Sequence, residues 1–584
     1  MNEHFDAVVV GSGFGGSVMA YRLAEARMRV CLLERGKPYP PGSFPRTPHG
    51  MKSNFWDPSD GLYGMYNVWS FKHIETLVSS GLGGGSLIYA NVLLRKDEKW
   101  FVKEDLAKGG YEYWPITRAD LDPHYDRVEK MLNAQRYPFD QHPYDDTPKT
   151  KAMQMAAGKL GKEWILPNLA VTFGNPGETP VPGEPIKEKH RNLHDRTRYT
   201  CRLTAECDIG CNYGSKNTLD FNYLSEAKRL GAELRCLSEV TDFYPREQGS
   251  GYTIRYREHS PGRPRSEQTP RTTITADHLI LAAGTLATSY LLLKNKSFFP
   301  ALSPTLGTHF CGNGDLLTFA VRCQETVEGK RGPRLLDGSL GPVITSAIRV
   351  GDAADGEEGR GFYIEDAGYP AFVNWMLEMT DAPGFTRRTK RFVWERIKSA
   401  VGINRQTDLS AEIAALMGDC ALSSTSVPLL GMGRDVPDGR LSLSDGRLEN
   451  DWKIKLSDPY FRRLRDTMKQ IAGVWDARFR DNATWLLNRR VITVHPLGGA
   501  PMGRDVKEGV ADSFGEVFNY PGLFVTDGAV MPGPVGPNPA LTIAAVSDRS
   551  ADHIIERHRK KPGGIRIGDT GAGAADGSTA GTPA

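Results

Sequence analysis

Phe5-Asp-Ala-Val-Val-Val10 runs directly into Gly11-Ser-Gly13-Phe-Gly-Gly16, and Met28-Arg-Val-Cys-Leu-Leu33 then ends on Glu34. The two apolar runs have the make-up of buried strands, and the alanine- and leucine-bearing stretch between them predicts a helix. Together they predict a βαβ unit with an acidic residue 18 positions beyond the last glycine of the turn (34 − 16). Each part has a physical reason. Gly11 permits the tight strand-to-helix turn, Gly13 lets the backbone approach a pyrophosphate, and Gly16 lets helix and strand pack closely. The helix N-terminus then offers unpaired N–H groups and a partial positive charge to the phosphates. Glu34 is placed to accept hydrogen bonds from a ribose diol. The chain holds 63 glycines, so the glycine spacing alone recurs by chance. With strand, helix, strand and acid in register, the expectation is a dinucleotide site.

At 584 residues the chain exceeds one core and predicts two substantial domains. Lys and Arg total 73 against 70 Asp and Glu, a net charge of +3, which gives no electrostatic case for nucleic acid. Eight cysteines in this length do not make a disulfide scaffold. Four residues precede the first strand and no apolar run reaches a membrane span, so a cytoplasmic protein with reduced thiols is expected. From residue 561 the tail mixes Gly, Ala, Ser, Thr and Asp with few large apolar side chains, a composition expected to be disordered.

Further glycine signals are scattered. Ser80-Gly-Leu-Gly83-Gly84-Gly85-Ser86 precedes Leu87-Ile-Tyr-Ala-Asn91, and permits close backbone approach to a flat or charged ligand; a surface loop is the plainer reading. His278-Leu-Ile-Leu-Ala-Ala-Gly284 reads as an apolar strand entering a helix, and Gly522-Leu-Phe-Val-Thr-Asp527-Gly528 as a short strand closing on Asp-Gly. Strand-then-glycine at separated places predicts one parallel sheet gathered from distant segments. Leu316–Cys323, Val343–Ile348, Gly361–Glu365 and Ala421–Pro428 instead read as half-exposed strands of an antiparallel sheet. A second domain facing the nucleotide domain follows, with substrate reacting in the cleft between them. The expected fold is α/β: a Rossmann-like domain (1–95, 215–310 and 488–560) joined to a domain of antiparallel sheet and helices (96–214 and 311–487), then the tail 561–584.

Val494-His495-Pro-Leu-Gly498-Gly499 is followed by Asp527-Gly-Ala-Val-Met-Pro-Gly and by Gly536-Pro-Asn538-Pro539-Ala-Leu-Thr542-Ile. With the N-terminal fingerprint and the Gly83–Ser86 run, these motifs resemble the glucose–methanol–choline (GMC) flavoprotein oxidoreductases, and within them the bacterial cholesterol oxidase branch. The resemblance extends to about residue 557. It implies the two-domain GMC fold, FAD, and alcohol oxidation by hydride transfer to flavin N5. Gly11, Ser12, Gly13, Gly16 and Glu34 match the ADP-binding fingerprint. Gly83, Gly84, Ser86 and Asn91 match the segment passing along the flavin, Val240 the backbone position at the adenine, and Gly284 a second turn near the nucleotide. Asp527 and Gly528 match the pair near the ribityl chain and pyrophosphate, and the turn from Asn538 to Pro539 meets the flavin pyrimidine. Some members tether FAD through a histidine near the flavin-contacting segment; none lies between His73 and His124, so non-covalent FAD is expected.

An alcohol gives up hydride readily only if a base takes its hydroxyl proton. His495 suits that task because imidazole titrates near working pH. Asn538, 43 residues further on (538 − 495), offers an amide donor to the same oxygen, and the family brings the two together over the flavin. Pro539 reads as the first residue position of a helix at Ala540–Glu556, whose dipole suits the charge of reduced flavin. A plain N-cap is the competing role for Asn538. Glu365, in Phe362-Tyr-Ile-Glu365-Asp, resembles the cholesterol oxidase glutamate that shifts a proton during double-bond isomerisation; Asp366, or a solvent-facing carboxylate, are the alternatives. Cys201, Cys207 and Cys211 lie close in sequence without a recognised zinc spacing, and predict a structural turn with no metal. Residues 371–402 mix aromatics with Arg and Lys, as in a lid resting on an anionic membrane or an ordinary amphipathic helix. The reading is an FAD-dependent oxidase or dehydrogenase for a bulky apolar alcohol, a steroid first, using oxygen or another acceptor.

Overall fold

The computed structural model describes residues 3–560 apart from 102, 105–111, 248, 262–269, 372–389, 391–393 and 395–420. The basic aromatic segment 371–402 therefore lies almost wholly outside the described residues, as does the tail from 561.

A seven-stranded sheet forms the first layer system. Strand Glu3–Val10 lies between Val30–Leu33 and Arg271–Leu281, parallel to both. Glu233–Arg235 adds beyond Val30–Leu33, and Leu523–Val525 pairs in parallel with Leu279–Leu281. The earlier part of Arg271–Leu281 carries an antiparallel extension, Tyr252–Glu258 and then Ser238–Pro245. Ala7, Val8, Val9, Leu279, Ile280 and Leu281 are completely buried, which is why these strands read as continuous apolar runs with no alternation. Helix Phe14–Glu25 covers one face and packs on the C-terminal helix Ala540–Lys560, which also packs on helix Arg118–Met131. Gly11, Glu34, Gly284 and Asp527 all fall just beyond the carboxyl ends of parallel strands of this sheet, the edge where open α/β sheets bind ligands.

The second sheet has six antiparallel strands in the order Glu163–Ile165, Ala347–Val350, Phe362–Asp366, Val427–Gly433, Leu316–Val321, Arg478–Asp481. Leu316–Val321 alternates buried and half-buried positions as expected. Phe362–Asp366 does not: all five residues are buried, because the strand sits in the middle of the sheet with both faces covered. Two expected strands are shorter. Val343–Ser346 precedes the strand that begins at Ala347, since the N–H groups of Thr345 and Ser346 turn to the Asp366 carboxylate. Ala421–Ser424 is a helical turn, its Ser423 and Ser424 carbonyls taken by Tyr369 and Leu336, and the strand begins at Val427. Helix Asp458–Val474 buries Phe461, Leu464, Met468 and Ile471 along one stripe and lays Leu464 and Met468 over Gly431 of this sheet.

One crossing from the first sheet system to the second runs through Phe310–Asp315. Phe310 pairs with Gly439 and Cys311 with Leu497, after which the chain enters strand Leu316–Val321. No described helix is long and apolar enough to cross a membrane.

Candidate active site

At the carboxyl edge of the parallel sheet the two glycine runs meet. A side chain on Gly84 would lie 2.6 Å from the Cα of Gly13, one on Gly16 1.9 Å from the Gly11 carbonyl oxygen, and one on Gly11 2.3 Å from that of Ala282. Gly15, unmarked by sequence reasoning, is equally constrained, 2.0 Å from the Thr526 carbonyl oxygen. Ser12 ties the runs together: its hydroxyl donates to Glu34 at 2.6 Å and accepts from the Gly83 N–H at 3.0 Å. The Glu34 carboxylate also accepts from the N–H groups of Ser12 and Gly36, at 3.0 and 2.8 Å. A carboxylate offers about four lone-pair directions, so one remains for a ribose hydroxyl. Val240 follows Ser238, whose N–H donates to the Glu34 carbonyl, so the position expected at the adenine lies beside the acid expected at the ribose.

The same edge holds the third turn. Asp527 accepts from Gly284 N–H at 2.8 Å, Thr288 hydroxyl at 2.6 Å and Ala529 N–H at 2.8 Å. Burial pushes its carboxyl up and these donors pull against it, leaving it raised to about 6. The Gly528 carbonyl accepts from Gly498 N–H, and Thr285 donates to the Pro496 carbonyl at 2.6 Å, so the nucleotide turns carry the segment that bears His495.

These residues fit FAD. Helices Phe14–Glu25 and Thr285–Lys294 begin at Gly13 and Gly284 without a side-chain cap, and nothing lies within 4 Å of where a Cβ on either glycine would stand. Uncapped N–H groups beside open glycine faces suit a pyrophosphate. Asn91, completely buried at φ 71°, has both side-chain polar atoms without a hydrogen-bond partner, which suits a polar ring edge. Ser86 differs: its hydroxyl is engaged by the Gly83 carbonyl and the Leu219 N–H, so only its backbone faces this way.

His495 is launched by strand Val491–Thr493, parallel to Ile74–Ser79. Its Nδ1 lies 2.8 Å from Oδ1 of Asp315, whose side chain is 1% exposed. Asp315 Oδ2 accepts from the Thr493 hydroxyl and the Val494 N–H, both at 2.9 Å. Two residues earlier, Asn313 grips the turn that leads into Asn538: it accepts from Gly536 N–H at 2.9 Å and donates to the Pro537 carbonyl at 3.0 Å. Among the described residues no hydrogen bond joins His495 to Asn538 directly; the Asn313–Asp315 strap holds both. Neither strap residue was marked in the sequence, where neither falls in a recognised motif.

Asn538 is not a helix cap. The Pro539 carbonyl accepts the first bond, from Ile543, so Pro539 stands one place before the helix and not at its first position. Asn538 Nδ2 instead donates to Glu365 at 3.4 Å, and its Oδ1 has no partner. Glu365 is completely buried, which removes the solvent-facing alternative, and desolvation pushes its carboxyl well above the usual range. Asp366 points the other way along the strand. It pairs with Lys149 Nζ at 2.7 Å and accepts from the Thr345 and Ser346 N–H groups, so it belongs to the core.

Cys201 and Cys207 are buried, with thiols pushed up by desolvation, Cys207 to about 11. The Cys207 carbonyl accepts from buried Lys216, which also reaches the Leu87 carbonyl and so ties this turn to the Gly83–Ser86 run.

Residues 450–547 match the family model described as GMC oxidoreductase, and residues 9–40 that of an NAD(P)-binding Rossmann-like domain. A cholesterol oxidase of Mycobacterium tuberculosis is 30% identical over 569 residues, covering 94% of this chain and 91% of that protein. A cholesterol oxidase of Acinetobacter baumannii is 27% identical over 571 residues, 95% of each chain. A 2-methyl-1,2-propanediol dehydrogenase of Mycolicibacterium austroafricanum is 23% identical over 583 residues, 95% of this chain and 96% of that one. The chain belongs to the GMC oxidoreductase family. It is a flavin-dependent enzyme acting on alcohols, and it resembles the cholesterol oxidase branch.

Proposed function

We propose that the enzyme oxidises a secondary hydroxyl on a bulky apolar substrate of the steroid type, with FAD held non-covalently. The observation that carries this reading is the buried Glu365, kept toward its neutral form and in contact with Asn538, on a strand of the second sheet. Bound FAD supplies the acceptor for hydride, at N5. His495 accepts the hydroxyl proton, and Asn538 donates to the hydroxyl oxygen and so holds it in line. Glu365 is an acid poised to move a proton along the substrate, as a double-bond shift requires. Gly11–Gly16, Gly83, Gly84, Gly284, Asp527 and Gly528 would hold the nucleotide, and the positive end of the helix after Pro539 would favour negative charge on a reduced flavin bound there.

The test is anaerobic bleaching of the bound flavin by a panel of sterols, terpenols and aromatic alcohols, then oxygen consumption with any hit. Sterols bleaching the flavin fastest supports the reading; a flavin that no secondary alcohol bleaches ends it. Glu365→Gln is expected to keep alcohol oxidation and lose any double-bond shift; if both persist unchanged, Glu365 leaves the site. The dehydrogenase among the relatives favours a second reading, a terpenoid, aromatic or xenobiotic alcohol with an acceptor other than oxygen. It predicts bleaching without oxygen consumption.

A further inference from the structure

We propose that Asp315 is a positioning residue that sets the tautomer of His495, keeping the proton on Nδ1 and leaving Nε2 bare to act as base. The inference rests on the reading of His495 as that base.

Three contacts carry it. Asp315 Oδ2 faces the Val494 N–H at 2.9 Å, a donor that cannot reverse its role. The Thr493 hydroxyl lies at 2.9 Å from the same oxygen and itself accepts from the His495 N–H. Oδ1 alone is left for the ring, at 2.8 Å from Nδ1. An ionised carboxylate only accepts, so the ring nitrogen facing it carries the hydrogen. The same anion favours the imidazolium that forms when Nε2 takes a proton.

The surroundings make Asp315 the anion of this cluster. The titratable groups that feel its charge are Glu365, Asp435 and Tyr460, together with His495. Desolvation holds Glu365, Asp435 and Tyr460 toward their neutral forms, and the charge of Asp315 adds to that. Asp315 accepts from a hydroxyl, a backbone N–H and the ring, whereas Asp435 has backbone N–H donors and Glu365 one long contact from Asn538.

Asp315→Asn separates this role from simple bracing. The amide oxygen must stay toward the Val494 N–H, because an NH₂ there would oppose donor to donor in a buried site. The NH₂ then faces Nδ1 and forces the ring proton onto Nε2. The backbone contacts survive while the base is blocked.

The experiment uses FAD-loaded enzyme labelled with ¹⁵N-histidine, His495 being assigned from the resonance that His495→Gln lacks. In the natural enzyme the expected result is a protonated Nδ1 and a bare Nε2, and in Asp315→Asn the reverse. With an alcohol that bleaches the flavin, Asp315→Asn is expected to lower the reduction rate about 10²–10⁴-fold at little change in KM. The acid limb of its kcat/KM profile moves to lower pH. A proton on Nε2 in the natural enzyme overturns the proposal, even if the variant fails to fold. So does an Asp315→Asn enzyme that retains the natural rate and pH profile. If no alcohol bleaches the natural enzyme, the functional reading fails instead, and the tautomer is still decided by the spectrum.

Discussion

At the scale of single residues, the site divides buried carboxyl groups by what donates to them. Asp315 has donors on both oxygens, whereas Glu365 has one long contact from Asn538. His495→Gln keeps a polar side chain that cannot accept a proton. It is expected to slow flavin reduction by about 10²–10⁴-fold while retaining bound flavin, as read by stopped-flow absorbance. Asp435 is the neutral member beside Asp315. It accepts from Gly312 N–H at 3.0 Å, and burial pushes its carboxyl up to about 8. The folded protein thus keeps a proton that an unfolded aspartate, with a value of about 3.9, has already lost. Its contribution to stability is whole below about pH 4 and is lost as pH rises through about 8. Asp435→Asn, neutral throughout, is expected to melt above the natural protein at about pH 9, with the gap closing toward about pH 5.

Elements matter here as turns that must touch. Gly13 and Gly84 bring two distant glycine runs into backbone contact, and Gly84 adopts φ 53°. Gly84→Ala places a methyl group against main chain that cannot step aside, an overpacking of about 1–3 kcal/mol. Its expected outcome is a purified protein with a lower flavin-to-protein absorbance ratio. The Asn313–Asp315 strap works between elements. It lies just before strand Leu316–Val321 and reaches from the His495 turn to the Gly536–Pro537 turn.

On the scale of the whole molecule, helices from three parts of the chain close around Asp548. His124 and Arg127 reach it from Arg118–Met131 at 2.7 and 2.8 Å, and Arg22 from Phe14–Glu25. Asp552, one turn on, pairs with the same two arginines. Although burial raises it, the donors around Asp548 hold its carboxyl below the usual range. The cluster supports the nucleotide turns from behind, since the first helix begins at Gly13 and the last follows Pro539. Its stabilisation is present above the unfolded value of about 3.9 and is lost as pH falls through the folded one. Asp548→Asn is expected to cost about 1.5–3 kcal/mol at neutral pH, seen as a lower Tm, with the difference narrowing in acid.

The nucleotide-binding half was legible because its signals are local. A glycine that must turn, an apolar run buried on both faces and an acid at a fixed distance each leave a mark within a few residues, as Gly11, Val8 and Glu34 do. His495 and Asn538 were legible through family motifs of the same short range. What the tertiary structure alone decided is pairing. That Asp315 rather than any other acid meets His495, that Asn313 holds the turn of Asn538, and that Glu365 faces Asn538 while Asp366 meets Lys149 depends on contacts across up to 223 residues of chain. Composition and periodicity say which side chains a strand buries; which donor waits on the far side is fixed only when two sheets and the strap between them close.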